Sequence, residues 1–156
     1  MPVHKLRTFL DDNHVKYITI GHSPAFTAQE IAAAAHIPGK ELAKVVMIKL
    51  DEEMVLAVLP ASHRVAIEQL RAATGARVVE LATEEEFRNR FPDCEVGAMP
   101  PFGKLYGMRT FVAESLVDDE RIAFNAGSHT ELIQLSFEDF RRLAEPKILR
   151  FARKVA

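Results

Sequence analysis

The stretch from Gly97 to Gly103, with the sequence GAMPPFG, combines residue types that could present backbone groups to a substrate. Two glycines allow backbone angles that are closed to other residues, and two prolines fix φ and remove two amide donors. The pattern predicts a rigid turn that holds backbone N–H groups in the open. Alternatively, the stretch is an ordinary tight loop between two elements.

A second candidate, Lys44, opens a strand pattern that is otherwise apolar. Alternation places Lys44 on the same face as Val46 and Ile48. An ammonium group on such a face loses hydration unless it meets an anion or reaches the rim. Lys44 therefore either meets a ligand at the end of the strand or covers the core with its aliphatic stem.

The third candidate, His129, follows a flexible turn at residues 126–128 and begins a predicted strand that ends at Leu135. Its face continues through Glu131 and Ile133, which puts the imidazole at the end of a partly buried row. A histidine there either serves a site or is a hydrogen-bonded structural residue. No pair among the six histidines has the spacing of a metal-binding helix, so we predict no metal site.

Three further patterns give weaker indications of chemistry. The spacing from Gly97 to Lys104 is one residue too long for a phosphate-binding loop, and no Ser or Thr follows the lysine. Cys94 could act as a nucleophile with His129, but a lone cysteine without a local signature more commonly is a buried, inert thiol. The densest positive cluster could meet RNA phosphates or form a solvated surface, and it comprises Arg141, Arg142, Lys147, Arg150, Arg153 and Lys154.

The composition is that of an ordinary globular domain. The chain has 156 residues, 48% hydrophobic and 27% charged, which fits one domain spanning residues 1–156. A single cysteine and the lack of a long apolar run or signal-like N-terminus predict a cytoplasmic protein with no membrane partner. The net charge of −2 argues against non-specific coating of nucleic acid but leaves room for a local RNA contact.

Helices and strands alternate along the chain without a steady βαβ rhythm. This order predicts an α+β (mixed α/β) fold, in which a barrel-like mixed sheet has helices packed around it. Capping boxes at Thr27/Glu30 and Thr83/Glu86 predict two helix starts. Three more helices are predicted: one that ends near Asn13, one that starts at a Ser62 cap, and one that spans 137–144 after a Ser136 cap. The predicted strands are 15–20, 44–50, 54–59, 77–79, 105–108, 110–113, 121–125 and 129–135.

Three segments in this order resemble the YbaK/ProX family of aminoacyl-tRNA deacylases, which includes the editing domain of bacterial prolyl-tRNA synthetases. They are the segment KVVMIK at Lys44, the segment GAMPPFG at Gly97, and the segment NAGSHTEL that contains His129. The resemblance extends from about Phe26 to Pro146. It implies a mixed α/β fold with a barrel-like sheet, and a free-standing enzyme that hydrolyses mischarged tRNA in trans.

The resemblance also implies which residues form the site. Lys44 matches the family's active-site lysine, Gly97 matches the first residue of its GxxxP loop, and His129 matches a histidine found in part of the family. Val45 follows Lys44 where alanine-specific free-standing members carry asparagine, which argues against alanine specificity. The residues implied to contact the substrate are Ala98, Met99, Pro101, Phe102, Gly127 and Ser128.

The chemistry of the implied reaction suits these residues. An aminoacyl ester is already activated, so an enzyme needs to position water and stabilise an oxyanion more than supply a strong nucleophile. We expect the Gly97 loop to hold the carbonyl oxygen or the water, Lys44 to anchor the tRNA 3′ end, and His129 to shape the amino-acid pocket or orient water. No cofactor is implied, and an aminoacyl-tRNA synthetase is a further expected partner. The alternative function is a non-catalytic module that binds an aminoacyl-nucleotide-like ligand.

Overall fold

A computed structural model describes residues 3–155, which form five α-helices and ten strands. The helices lie around a curled sheet that resembles half of a barrel. Three short 3-10 turns, at Arg88–Arg90, Gly103–Tyr106 and Glu114–Leu116, link other elements. The helices are α1 (His4–Asp12), α2 (Ala28–Ala35), α3 (Ile67–Thr74), α4 (Glu84–Phe87) and α5 (Phe137–Ala144).

The strands form one eight-stranded mixed sheet and one two-stranded ribbon. They are β1 (Tyr17–Gly21), β2 (Leu42–Leu50), β3 (Glu53–Pro60), β4 (His63–Val65), β5 (Val79–Leu81), β6 (Thr110–Ala113), β7 (Arg121–Ser128), β8 (Glu131–Ser136), β9 (Lys147–Leu149) and β10 (Ala152–Lys154). The sheet order is β1-β8-β7-β2-β3-β6-β9, with β5 added to β2, while β10 pairs only with β4. Because β2–β7, β3–β6 and β6–β9 are parallel and the other pairs antiparallel, the predicted mixed sheet is confirmed.

Local signals in the sequence set most helix ends. Both predicted capping boxes form, and in the first the Thr27 hydroxyl accepts from Glu30 N at 3.1 Å while Thr27 N donates to the Glu30 carboxylate at 3.2 Å. The Ser136 hydroxyl accepts from Asp139 N at 3.1 Å at the start of α5. These bonds satisfy amides that a helix start otherwise leaves without partners.

The sheet buries apolar side chains on both of its faces. On one face, α1 and α5 pack against residues that include Val58, Phe102 and Phe124. On the other face, α2 packs over Leu42, and α3 packs over the part of β2 that contains Ile48. The alternation of β2 therefore places Lys44 on the α2 and α3 face, between these two clusters.

Four local predictions are wrong. Ser62 does not cap a helix, because the residues after it pair with β10 and α3 starts only after Ala66. No strand forms at 105–108, because the 3-10 turn Gly103–Tyr106 covers the first two of these residues and the chain turns at Gly107. Residues 126–128 belong to β7, with an irregularity after Asn125, and His129 lies in the turn before β8.

No helix within residues 3–155 is long and apolar enough to cross a membrane.

Candidate active site

The candidate site lies where two parallel strands separate. β2 and β7 pair only at Leu42 with Ala123 and at Ala43 with Phe124. Beyond that point β2 regains a strand partner on this side only at residues 48–50, where β5 pairs with it. We call residues 44–47 of β2 and 125–128 of β7 the fork. Strand ends that separate in this way leave room for a loop and a ligand between them.

The loop that contains Gly97 is bonded to the β7 arm of the fork. Glu95 N donates to the Gly127 carbonyl at 2.8 Å, and Gly127 N donates to the Ala98 carbonyl at 3.0 Å. On the other arm, Val45 packs in the same apolar cluster as Met99. The loop therefore spans the fork and is fixed at both sides.

Gly97 lies at the exposed tip of this loop, as the sequence predicts for a turn that presents a backbone amide. Its φ of +87° is in the region that favours glycine. The Gly97 N–H points to the Met99 sulfur at 3.2 Å, and a thioether is a weak acceptor. This amide could therefore exchange its resting partner for a stronger acceptor, such as a carbonyl oxygen, at little cost.

His129 lies directly beside Gly97. A Cβ atom built on Gly97 would be 3.5 Å from His129 Cε1, which is ordinary contact distance. The His129 side chain is 11% exposed, and its Nε2 donates to the Val96 carbonyl at 2.9 Å. Because a carbonyl can only accept, Nε2 carries the proton and Nδ1 of the neutral ring is an acceptor. Nδ1 is buried and has no hydrogen-bond partner within residues 3–155, which makes it a candidate contact for a ligand.

Lys44 is half-buried at the start of the β2 arm. Burial lowers the pKa of its ammonium group, because a low-dielectric surrounding penalises the charged form. Among the residues that the structure describes, no carboxylate lies within ion-pair distance of it. A half-buried cation without an anion is costly unless a ligand supplies the negative charge.

The six residues implied to contact substrate divide into two groups. Ser128 is half-buried at the end of β7, and its hydroxyl is 3.4 Å from that of Thr130. The others are buried, and Phe102 is fully buried with its ring 5.6 Å from that of Phe124. The buried residues hold the loop in the core, where backbone atoms rather than side chains remain available to a ligand; they are Ala98, Met99, Pro101, Phe102 and Gly127.

No three His, Cys, Asp or Glu side chains in the described part of the chain are placed to hold a metal ion.

A comparison of the whole sequence with protein families identifies this arrangement. The model of the aminoacyl-tRNA editing domain matches residues 22–143. The chain belongs to this family. The matched range includes both arms of the fork, the Gly97 loop and His129.

Individual relatives of the chain include a tRNA deacylase and a proline–tRNA ligase. The multifunctional Ser/Thr-tRNA deacylase ProXp-y of Escherichia coli K12 is 33% identical over 101 residues, which are 64% of this chain and 59% of that protein. The proline–tRNA ligase of Bacillus cytotoxicus is 35% identical over 75 residues, which are 48% of this chain and 13% of the ligase. The aligned segments therefore cover less than two thirds of either relative.

A solved structure shows that the editing-domain fold extends over nearly the whole chain. The structure of a candidate trans-editing enzyme for prolyl-tRNA synthetase superposes with a TM-score of 0.80 at 18% identity, and the match covers 99% of this chain and 97% of that one. At this identity the likeness concerns the fold, and it confirms the predicted fold class.

Two residues of this editing domain's site were not predicted from the sequence. Phe26 is 72% exposed, yet its ring centroid lies 5.0 Å from that of His129. Asn125 follows the last residue of β7 that pairs with β2, and its Oδ1 is buried without a partner in the described residues. Only Phe26 had a signal in the sequence. It directly precedes the helix cap Thr27, where an apolar residue commonly packs against the fourth residue of the helix, which is Ile31 in this chain.

Cys94 lies beneath the site but lacks the features of a nucleophile. Its Sγ is 3.5 Å from the Tyr106 hydroxyl, and burial raises the pKa of the thiol. A thiol in such a place stays protonated at neutral pH, and the thiolate is the reactive form. We therefore expect Cys94→Ala to retain hydrolytic activity to within about threefold, whereas loss of a true nucleophile costs orders of magnitude. Single-turnover deacylation rates of the wild type and the variant test this expectation. If Cys94→Ala is folded but inactive, Cys94 is the nucleophile.

Proposed function

We propose that this protein is an aminoacyl-tRNA deacylase that hydrolyses the ester bond of mischarged tRNA. The observation that carries the proposal is the pair formed by Gly97 and His129. The Gly97 N–H has only a weak thioether partner, and close to Gly97 lies the His129 imidazole, whose Nδ1 has no hydrogen-bond partner in the described residues. Ester hydrolysis needs a donor for the oxyanion and an acceptor for water or the amino group.

The Gly97 amide is assigned to the developing oxyanion. When water attacks the ester carbon, negative charge grows on the carbonyl oxygen, and a fixed N–H donor stabilises that charge more than it stabilises the neutral ester. The loop is held by two backbone bonds to Gly127 and by Ala98 in the core, so little reorganisation is needed during the reaction. One such donor typically contributes about 3 kcal/mol to the lowering of the barrier.

His129 is assigned to the attacking water or to the substrate's α-ammonium group. Its Nε2–H is fixed by the Val96 carbonyl, which orients the ring and leaves Nδ1 as the acceptor. The Phe26 ring packs against the imidazole and reduces its access to bulk water. An acceptor in a partly dry site binds a single water or ammonium group more firmly than it would in solvent.

Lys44 is assigned to the phosphate of the terminal nucleotide. Its half-buried ammonium has no carboxylate within ion-pair distance in the described part of the chain, so an incoming phosphate would supply an electrostatic partner. This contact fixes the ester relative to Gly97, and the effect belongs to positioning rather than proton transfer.

The reaction balances without a protein nucleophile. Water adds to the carbonyl carbon, the bond from that carbon to the ribose oxygen breaks, and the ribose oxygen leaves as a hydroxyl. The proton released by water passes to the leaving oxygen, and the neighbouring ribose hydroxyl can assist that transfer. A positioning site is sufficient because the ester is activated, and a second hydrolytic site is needed because binding distinguishes one methylene by only about 1–3 kcal/mol.

The relatives that share the domain support a substrate class. One is a Ser/Thr-tRNA deacylase and another is a proline–tRNA ligase, so we place a small amino acid on tRNAPro or a related tRNA in the site. The same relatives support a synthetase as a functional partner and the cytoplasm, where tRNA is charged, as the location.

Release of labelled amino acid from a panel of mischarged tRNAs tests the proposal. The panel contains tRNAPro charged with Ala, Cys, Ser or Thr, with correctly charged tRNAPro as the control. We expect faster hydrolysis of at least one mischarged ester and protection of prolyl-tRNAPro. If every ester survives while the folded protein binds an aminoacyl-adenosine analogue, the protein is a binding module and the proposal is wrong.

A further inference from the structure

The two-stranded ribbon of β4 and β10 carries an unusual pair of charges. Its register places Arg64 directly opposite Arg153, and His63 opposite Lys154. Side chains opposite each other in an antiparallel pair have Cβ atoms about 5 Å apart, and like charges there are destabilising. Both arginines are exposed. A pair that repels itself in the free protein is favourable when an anion binds between its members.

The surroundings do not neutralise these arginines. In the part of the chain that the structure describes, neither has a carboxylate within ion-pair distance. Glu68 lines the same cavity of about 300 Å³ as the two arginines, but its carboxylate binds Arg71 at 2.6 Å. The charge of the pair is therefore available to an external partner.

The structure divides the basic cluster predicted from the sequence. Arg142 pairs with Asp139 at 3.1 Å, and Arg150 lies 3.5 Å from Glu114. Of the two members on the ribbon, Arg153 faces outward with Arg64, and Lys154 is exposed on the neighbouring position of β10. The six cations are close together in the sequence, but in the fold they lie on different surfaces.

The ribbon is continuous with the candidate active site. Val65 and Ala152 pack onto the α3 side of the sheet, which is the face of β2 that carries Lys44. At the other end of the same ribbon face, His63 is close enough to Lys154 and Lys44 for both cations to lower its pKa, in addition to the larger effect of its burial. Lys44 and Lys154 therefore both lie near His63, on the face of the ribbon opposite to Arg64 and Arg153.

We infer that the β4–β10 ribbon binds the phosphate backbone of the RNA strand whose 3′ end enters the fork, with Arg64 and Arg153 as the main phosphate contacts. The inference rests on the proposed function, which places an RNA end at Lys44. Arginine presents a planar set of donors that matches phosphate oxygens, and phosphate contacts fix the register of an RNA without reading its sequence. Because the whole chain carries a net charge of −2, such a local surface is the form that RNA attraction can take here.

Binding of non-aminoacylated RNA tests the ribbon separately from catalysis. The probe is a labelled minihelix of a tRNA acceptor stem with an unpaired 3′ strand, followed by fluorescence anisotropy between about 50 and 200 mM salt. The test variant is Arg64→Ala with Arg153→Ala. The matched control is Arg121→Ala with Arg141→Ala, which removes two exposed cations from β7 and α5, remote from the ribbon face.

We expect the ribbon variant to bind about tenfold more weakly at low salt, and its slope of log affinity against log salt to fall by about 1.5–2, the value for two lost phosphate contacts. Its melting temperature should equal or exceed that of the wild type, since a repulsive pair has been removed. Equal affinity and slope in wild type and variant would overturn the inference, and so would equal losses in variant and control. If no ester of the panel is hydrolysed while this binding result holds, the deacylase proposal is wrong, and the inference that the β4–β10 ribbon binds RNA phosphates still stands.

Discussion

Replacement of Lys44 by Met should lower kcat/KM for the preferred mischarged tRNA by on the order of 10²–10³-fold, the cost typical of losing one partner of a desolvated charge pair. Methionine keeps most of the apolar stem and removes the ammonium group. If the lysine only covered the core with its stem, the substitution would leave turnover nearly unchanged. Single-turnover rates at several enzyme concentrations separate loss of binding from loss of the chemical step.

The same variant should be at least as stable as the wild type. Burial holds the pKa of Lys44 below 10.5 in the folded protein, so the folded state binds this proton less tightly than the unfolded state does. Between the folded pKa and 10.5 the unfolded state binds more protons, and stability rises with pH. The cost of the buried charge is thus fully present below the folded pKa and disappears as pH rises towards 10.5.

Denaturant unfolding at several pH values measures this linkage. We expect the stability of wild type relative to Lys44→Met to increase from neutral to alkaline pH. Lys49→Met is a suitable control on the same strand, because Lys49 pairs with Glu86 at 2.6 Å and its pKa is raised rather than lowered. A large, pH-independent loss of stability in Lys44→Met would show that the lysine has a structural role.

The sequence was sufficient for the features that depend on neighbours along the chain. Both capping boxes, the strands β2 and β3 and the start of α5 at the Ser136 cap arise from local hydrogen bonds and backbone preferences, and each prediction is confirmed. Lys44 was recognised as unusual because alternation alone puts it on an apolar face.

What the sequence could not give depends on pairing between distant segments. The fork exists because β2 and β7 pair over two residues and then separate, and no local pattern encodes that point. For the same reason, the sequence did not predict the short strands β4 and β10. Their paired residues Arg64 and Arg153 are 89 positions apart along the chain. The proximity of Phe26 to His129 likewise follows from the packing of α2 against the sheet.

Gly97→Ala should lower turnover by about 10²-fold, the effect of losing one oxyanion donor, while stability falls by about 1–2 kcal/mol. With φ at +87°, a residue with a Cβ atom is strained whatever the space around it. The new Cβ would be in ordinary contact with His129 Cε1 at 3.5 Å, so the cost comes from the backbone angle, and a change of that angle turns the amide away from its present direction. Catalysis is sensitive to such displacements, since a shift of about 1 Å can cost 10²-fold.

Gly75→Ala separates strain from catalysis. Gly75 has a comparable φ of +73° and no atom within 4 Å of an added Cβ, but it lies at the end of α3, outside the fork. The two substitutions should therefore cost similar stability, measured by thermal unfolding, and only Gly97→Ala should slow single-turnover deacylation. If both variants keep wild-type turnover, the oxyanion donor is not the Gly97 amide. If both lose it equally, the loss reflects stability, and the loop has no special part in the reaction.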